Sequence, residues 1–352
     1  KPPVTTPAPL TYRDAGVDVR RADGIKRELG EAVRSTWRPG VEPLTGGFAG
    51  IMALPGGGGT LLAASMDGVG TKLHLALAAG RVDAAAGDLV RHGANDLLVH
   101  GARPLAFLDY IAQSRLDPEV VLAAVRGMAE ACREVGAVLL GGETAEMPDT
   151  YVPGVVDVAG CMLGTVPPGR VLDGGRVRPG DAVLGLAAAG LHTNGYSLAR
   201  RVLAESGLGL DDPLPGGAGE SLGEALLAPH RWYGPALHGP LDADEVHALA
   251  HVTGGGIAGN LVRVLPVGCR ARLEAGAWEI PPLMRWLVRA GGVPTEDARE
   301  ALNLGVGMVV VCAPGMVERL VAGCERAGER VLRLGSILSG ERGVEWRGDP
   351  GS

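Results

Sequence analysis

Three observations predict a mixed α/β (α+β) chain of two domains. Short apolar runs alternate with segments of helical periodicity along the 352 residues. Four of those runs end in glycines with polar residues among them, the place where α/β proteins build ligand sites. Two prolines in Thr165-Val166-Pro167-Pro168-Gly169-Arg170 interrupt the pattern between strand-like stretches. That break predicts an N-terminal domain over 11–167 and a C-terminal domain over 168–352, with the Pro-rich residues 1–10 as a loose tail.

Each element has its own warrant. Thr60 to Met66 reads as a strand leading into Asp67-Gly68-Val69-Gly70-Thr71-Lys72. From about Ala84 to His100 the spacing predicts a helix, with Asp88, Arg91, His92 and Asp96 sharing polar faces. Such a face is ordinarily a solvated one. Asp117-Pro118-Glu119 is a helix start, because Asp can cap, Pro suits the first turn and the acid favours the positive end. Val121, Val125, Met128 and Cys132 follow at helical spacing, and Gly136 stops the helix. Ala137 to Leu140 then reads as a buried strand entering Gly141-Gly142-Glu143. In the second half, Asp181 to Ala188 is a strand leading to Gly190 and His192-Thr193-Asn194-Gly195, followed by a helix to about Ser206. Asp211 to Gly219 looks like a surface insertion. His247 to Val252 leads to Thr253-Gly254-Gly255-Gly256 and a short helix.

Composition limits the function. Hydrophobic residues make up 46% of the chain, so the 57 glycines and 25 prolines belong to turns and close approaches of a folded protein, not to disorder. A net charge of −7 with no basic block argues against nucleic acid or an anionic membrane as partner. No apolar run approaches the ~20 residues that span a bilayer. The five cysteines form no metal-ligand spacing and read as small buried hydrophobes in a reducing, cytoplasmic setting. Lysine is scarce: Lys1, Lys26 and Lys72 stand against thirty arginines. A coding bias toward Arg accounts for most of this, yet the survivors sit where a compact point charge can serve.

The strand-end residues carry the chemistry. Asp67-Gly68-Val69-Gly70-Thr71-Lys72 is not a Walker loop, whose order is Gly-Lys-Ser/Thr. Gly68 and Gly70 would let backbone N–H groups approach a phosphate, with Lys72 as point charge. Asp67 would repel that phosphate unless Mg²⁺ lay between them. A tight turn with a capping Asp explains the same residues equally well. Asn95-Asp96 and Glu143 become relevant if Asp67 needs partner carboxylates, since Mg²⁺ sites combine one or two acids with substrate phosphates. Paired acids also serve glycoside hydrolysis, but that leaves the glycine loops and Lys72 unused. His192 can hydrogen-bond a phosphate or move a proton near neutral pH, although a lone turn histidine is more often structural. Ser197 lacks a Gly-x-Ser-x-Gly elbow. Thr253, Gly254 and Gly255 precede a helix and offer N–H groups to an anion, as many turns do.

Taken in order, these segments resemble the aminoimidazole ribonucleotide synthetase family of purine biosynthesis, the phosphoribosylformylglycinamidine cyclo-ligases. The carrying stretches are YRDAGVD (12–18), GGF (46–48), DGVGTK (67–72), NDL (95–97), FLDY (107–110), GGETAEMP (141–148), HTNGYSL (192–198), LAP (227–229), HVTGGG (251–256) and NLGVGM (303–308). Arg91-His92-Gly93-Ala94 is more polar than the resemblance leads one to expect before Asn-Asp, and Leu191 stands where a proline is common.

The resemblance implies that the N-terminal domain binds ATP and pairs its sheet with that of a second copy into a barrel, making a homodimer. The C-terminal domain would carry a mixed sheet flanked by helices. It places Mg²⁺–ATP carboxylates on Asp67, Asp96 and Glu143. Lys72, His192 and Asn194 match nucleotide or substrate contacts, and Lys26 a nucleotide-proximal lysine. The implied reaction is ATP-dependent ring closure of formylglycinamidine ribonucleotide to 5-aminoimidazole ribonucleotide, with His192 as candidate base. Two rivals share the ATP-binding superfamily, selenophosphate synthetase and thiamine-phosphate kinase. The first usually carries a reactive Cys near its N-terminus, and here the first cysteine is Cys132, within a predicted helix. A nucleotide-binding module without catalysis is the alternative of a different class.

Overall fold

Two sheets are built from successive halves of the chain. The computed structural model describes residues 10–11, 15–16, 29, 31–44 and 47–348. The first half contributes β1 (Gly50–Ala53), β2 (Leu61–Gly68), α1 (Lys72–Ala78), α2 (Val82–Val99), β3 (Arg103–Gln113), α3 (Pro118–Val135), β4 (Val138–Glu146) and β5 (Val156–Val166). Its strands lie in the order β1-β2-β5-β3-β4. Only β3 and β4 run parallel, joined by the crossover helix α3.

Helices cover one face of this sheet. Along β5, Val156, Val158, Gly160, Met162, Gly164 and Val166 are buried and alternate with half-buried neighbours, the period-2 pattern of a strand packed on one side. Helix α2 lies against that face and α3 against α2. The helices approach so closely that a Cβ at Gly127 would stand 1.9 Å from the Asp83 carbonyl oxygen. The predicted ends of α3 are found: the Asp117 carboxylate accepts from Glu119 N (2.9 Å), and Gly136 adopts φ 77°.

The second half contributes β6 (Ala182–Ala187), α4 (Tyr196–Ser206), α5 (Leu222–Leu226), α6 (Gly234–Asp242), β7 (Ala248–His251), α7 (Gly256–Leu261), β8 (Cys269–Glu274), α8 (Pro282–Ala290), α9 (Thr295–Ala301), β9 (Val306–Cys312), α10 (Val317–Arg326), β10 (Val331–Ser339) and β11 (Gly343–Arg347). The sheet order is β11-β8-β10-β6-β9-β7, mixed because β11 joins β8 in parallel. Strand β9, Val-Gly-Met-Val-Val-Val-Cys, is buried at every position, as a strand covered on both faces must be. Each such Val or Met side chain contributes roughly 1.5–3 kcal/mol by leaving water.

Two local expectations change. The strand expected as buried over Ala137 to Leu140 is an edge strand running on through Glu146, with Val138 60% and Leu140 63% exposed. Edge position leaves one side of β4 without a neighbouring strand. The polar face of α2 is not solvated: Asp88, His92, Asn95 and Asp96 are all buried, because it packs toward the second half of the chain. The segment from Asp211 to Gly219 lies mostly at the surface, anchored by buried Leu214 and by a bridge from Pro213 to Ser221.

Candidate active site

The end of β2, the buried polar face of α2 and the turns after β6 and β7 converge between the two sheets. Asp67 stands near the end of β2 with its side chain 48% exposed, and its Oδ1 accepts from Gly68 N (3.2 Å). His92 of α2 places Nε2 3.1 Å from Asp67 Oδ2 and 3.6 Å from Asp96 Oδ2. Asp96 is buried and fully engaged: Ser65 Oγ donates to Oδ2 (3.0 Å) and His251 Nδ1 lies 2.8 Å from Oδ1. Burial alone would raise the Asp96 pKa, but His92, His251 and Ser65 outweigh it and hold it below the ordinary carboxylate value. For His92, burial works against the charge, yet Asp96 and Asp67 prevail and push its pKa to about 9. Its Nδ1 lies 2.6 Å from Thr193 Oγ1.

The turn after β6 carries His192, whose φ of 61° is in the left-handed region. Its ring is buried and stacks on His230 with centroids 4.0 Å apart. Burial, followed by the nearby His251 and Lys72, depresses the His192 pKa well below the ordinary value, so the ring is neutral. The Ala189 N–H donates to Nε2 (3.4 Å), which places the proton on Nδ1, a buried atom without a protein partner. In this tautomer His192 presents a donor at Nδ1, which does not suit the base role expected for it.

The predicted residues fall into three groups. Asp67, Asp96 and His192 meet around the two turns. So does Asn194, whose Nδ2 lies 3.7 Å from where a Gly254 Cβ would stand. Thr71 Oγ1 lies 3.2 Å from Ser197 Oγ, and both line an open cleft of about 750 Å³ that also carries Arg200. Gly68 and Gly70 are exposed beside it, Gly70 at φ 67°.

A second group is brought close but spent internally. Lys72 is fully buried; its Nζ pairs with Asp88 and donates to the His192 carbonyl oxygen (2.8 Å). The expected phosphate contact is therefore a strut between the halves, because a buried ammonium is held by its carboxylate. Asn95 Nδ2 donates to the Arg231 carbonyl (2.8 Å) and its Oδ1 accepts from Tyr233 N (3.2 Å), so it fastens that turn and does not face a nucleotide. Thr253 Oγ1 donates to Asn260 Oδ1 (3.2 Å), and the Gly255 N–H is used by the Glu300 carbonyl (3.1 Å). The anion cradle expected of Thr253, Gly254 and Gly255 thus loses the Gly255 N–H, and Gly254 is its exposed member.

The third group lies apart. The register Asp67–Gly160–Asp109–Gly142 runs across the sheet, so Asp67 and Gly142 share the helix-covered face. Glu143, one residue on, points from the opposite face, three strands from β2. Asp67 and Glu143 therefore do not converge within one chain. Lys26 lies outside the described residues.

Sequence reasoning passed over His230 and His251. His251 ends β7 inside a recognised motif, where the glycines draw attention instead. His230 follows Pro229 with no local pattern; its backbone N–H, donated to Asp88 (2.8 Å), and its ring, stacked on His192, tie it to the site.

Comparison with known proteins agrees with this architecture. Family models match both halves: the AIR synthase related protein N-terminal domain over residues 46–166 and the C-terminal domain over 178–347. A protein of Sorangium cellulosum named phosphoribosylformylglycinamidine cyclo-ligase is 46% identical over 334 residues, 94% of this chain and 96% of that one. Among solved structures, thiamine-monophosphate kinase from Stenotrophomonas maltophilia superposes with a TM-score of 0.61 at 21% identity, covering 91% of this chain and 95% of that one. The hydrogenase maturation protein HypE, solved in complex with ATP, gives 0.59 at 21% identity, covering 87% and 86%. At these identities the two solved structures share the fold.

Proposed function

The chain belongs to the AIR synthase related family in both halves, and from that premise we propose that it catalyses the cyclo-ligase reaction, closing formylglycinamidine ribonucleotide to 5-aminoimidazole ribonucleotide with ATP. The observation that carries this reading is 46% identity to a cyclo-ligase across nearly the full length of both chains. In the reaction the formyl amide oxygen attacks the γ-phosphorus of ATP and the bond to ADP breaks. The ribose-bearing nitrogen then attacks the activated carbon, phosphate leaves with the former amide oxygen, and a proton is lost as the ring closes.

The chain's own residues supply positioning and charge. Asp67 fits a magnesium-bound nucleotide, since it is half-exposed beside the Gly68–Thr71 turn and the open cleft. Asp96 fits less simply, because both its oxygens are already engaged. Mg²⁺ held there would neutralise the negative charge that develops on phosphoryl transfer. Asn194 and the Nδ1–H of His192 are the donors for the amide oxygen as negative charge grows on it. His192 is buried, so it meets substrate only when the layer over it opens.

Glu143 joins this chemistry if a second copy brings it there. The outer face and edge of the first sheet expose Met66 (70%), Val138 (60%) and Leu140 (63%), an apolar surface suited to a second copy of the same sheet. A homodimer closed through this face would bring Glu143 of each chain to the subunit interface.

The decisive experiment follows ADP release with purified protein, Mg²⁺–ATP and formylglycinamidine ribonucleotide. ADP and aminoimidazole ribonucleotide appear together only when all are present. ADP formed with thiamine monophosphate instead, or nucleotide binding without turnover, would refute the reading.

A further inference from the structure

We propose that His92, His230 and His251 form a binding site for a divalent transition-metal ion of the zinc class, supported by Asp96. It takes nitrogen donors, unlike the magnesium of the nucleotide, although Asp67 borders both, and it does not rest on the cyclo-ligase reading. All three rings are buried, and each can offer one nitrogen with all three atoms within 4.8 Å of one another. His230 Nε2 and His251 Nε2 stand 3.0 Å apart. Two imidazole nitrogens on one tetrahedral ion, at metal–nitrogen distances of about 2.0–2.1 Å, stand about 3.3 Å apart. The pair is already at bite distance, and the third nitrogen needs to move at most about 1.5 Å to complete the set.

The surroundings are those of a ligand set. Metal-bound histidines give their second ring nitrogen to a carboxylate or other oxygen, which fixes the lone pair toward the ion. His251 does so through Nδ1 to Asp96 Oδ1 (2.8 Å), and His92 Nδ1 is engaged by Thr193 Oγ1 (2.6 Å). Both rings therefore present Nε2 inward; that of His92 meets Asp67 Oδ2 (3.1 Å) and gives up its proton when an ion binds. His230 is held by stacking on His192 (4.0 Å); its Nδ1 is buried with no partner, so of the three rings it alone lacks an outer oxygen contact. Asp67 Oδ2, 3.1 Å from His92 Nε2, is the exchangeable fourth neighbour.

The donor set decides the metal class. Three imidazoles with carboxylate support favour Zn²⁺, Co²⁺ or Cu²⁺, whereas Mg²⁺ takes oxygen donors.

Chelator-stripped protein titrated with Co²⁺ tests the site. The expected result is one ion per chain with the intense visible absorption of four-coordinate Co²⁺, abolished by equimolar Zn²⁺ and untouched by millimolar Mg²⁺. His92→Gln and His230→Gln each lose the absorption, while His247→Gln, remote from the cluster, keeps it. Thermal melts by circular dichroism establish that each variant is folded. Should a Gln variant not fold, Thr193→Val takes its place, with affinity expected to fall about 10–100-fold through the loosened His92. Only weak, octahedral-type absorption in the wild type overturns the proposal, as does absorption that survives every cluster variant.

Discussion

Lys72 and His192, 120 residues apart, are joined by a 2.8 Å hydrogen bond from the ammonium to the His192 backbone carbonyl. The same ammonium neutralises Asp88, which also accepts from the backbone N–H of His230 (2.8 Å). One buried ion pair thus fastens two turns of the second half to α2.

Lys72→Met removes one partner of that pair and leaves buried Asp88 with Arg91 (Nη1 3.3 Å from Oδ1) as its remaining cation. Breaking such a pair costs about 3–5 kcal/mol, whereas replacing both partners by groups of similar volume is often far milder. Urea unfolding should therefore show a large loss for Lys72→Met and a partial recovery in Lys72→Met with Asp88→Leu. A Lys72→Met protein of unchanged stability but weakened ATP binding would restore the phosphate role that the sequence suggested.

The separation of Asp67 and Glu143 on opposite sheet faces makes a sharp prediction about subunits. Asp67→Asn and Glu143→Gln should each lose most turnover; exposed Glu143→Gln changes stability by no more than ~0.5 kcal/mol, while Asp67→Asn also gives up the charge beside buried His92. If one site takes Asp67 from one chain and Glu143 from its partner, mixing the two inactive variants regenerates one intact site in each mixed dimer. Random re-association then restores about a quarter of wild-type turnover. No recovery after verified subunit exchange would mean that the two acids do not share a site across subunits.

Asp67 and the HTNGYS turn were legible because short strand-end motifs carry their own polar chemistry. Lys72 was misread for a physical reason. A lysine after two glycines looks like a phosphate ligand, and nothing local reveals that Asp88, on the following helix, will bury it. The polar face of α2 misled in the same way, since periodicity shows that Asp88, His92 and Asp96 share a side but not what packs there. The histidine cluster draws on α2, the turn before α6 and the end of β7, three segments brought together only by the docking of the two halves.

His238 gives a pH dependence away from the candidate site. Its ring packs edge-on against Trp232 (5.6 Å), and its buried Nε2 has no partner. Burial first, then Arg103, depresses its pKa to about 4 from the ordinary 6.5, with Asp242 opposing. The unfolded chain thus takes up a proton that the folded chain refuses. Stability is complete above about pH 6.5 and is lost as pH falls toward about 4. Urea midpoints measured between pH 7 and 4.5 should fall less steeply in His238→Gln, by at most about one proton of linkage. Identical slopes for the two proteins would show that His238 titrates normally in the fold.

Gly307 tests how tightly the His192 ring is held. It lies in the buried strand β9, where a Cβ would stand 1.9 Å from Tyr233 Oη and 2.5 Å from His192 Cε1. Tyr233 Oη donates to the Ala187 carbonyl (2.9 Å) at the end of β6, so it cannot retreat without giving up a buried hydrogen bond. The added methyl in Gly307→Ala must therefore displace the tyrosine, the imidazole or the strand, at a cost of about 1–3 kcal/mol for overpacking. Because His192 is one of the two walls, turnover should fall by more than the loss of folded protein explains, at temperatures well below the melting transition. Gly315→Ala, where a Cβ meets nothing within 4 Å, is the control and should change neither quantity. Normal turnover in a destabilised Gly307→Ala protein would show that the position of His192 is unimportant to the reaction.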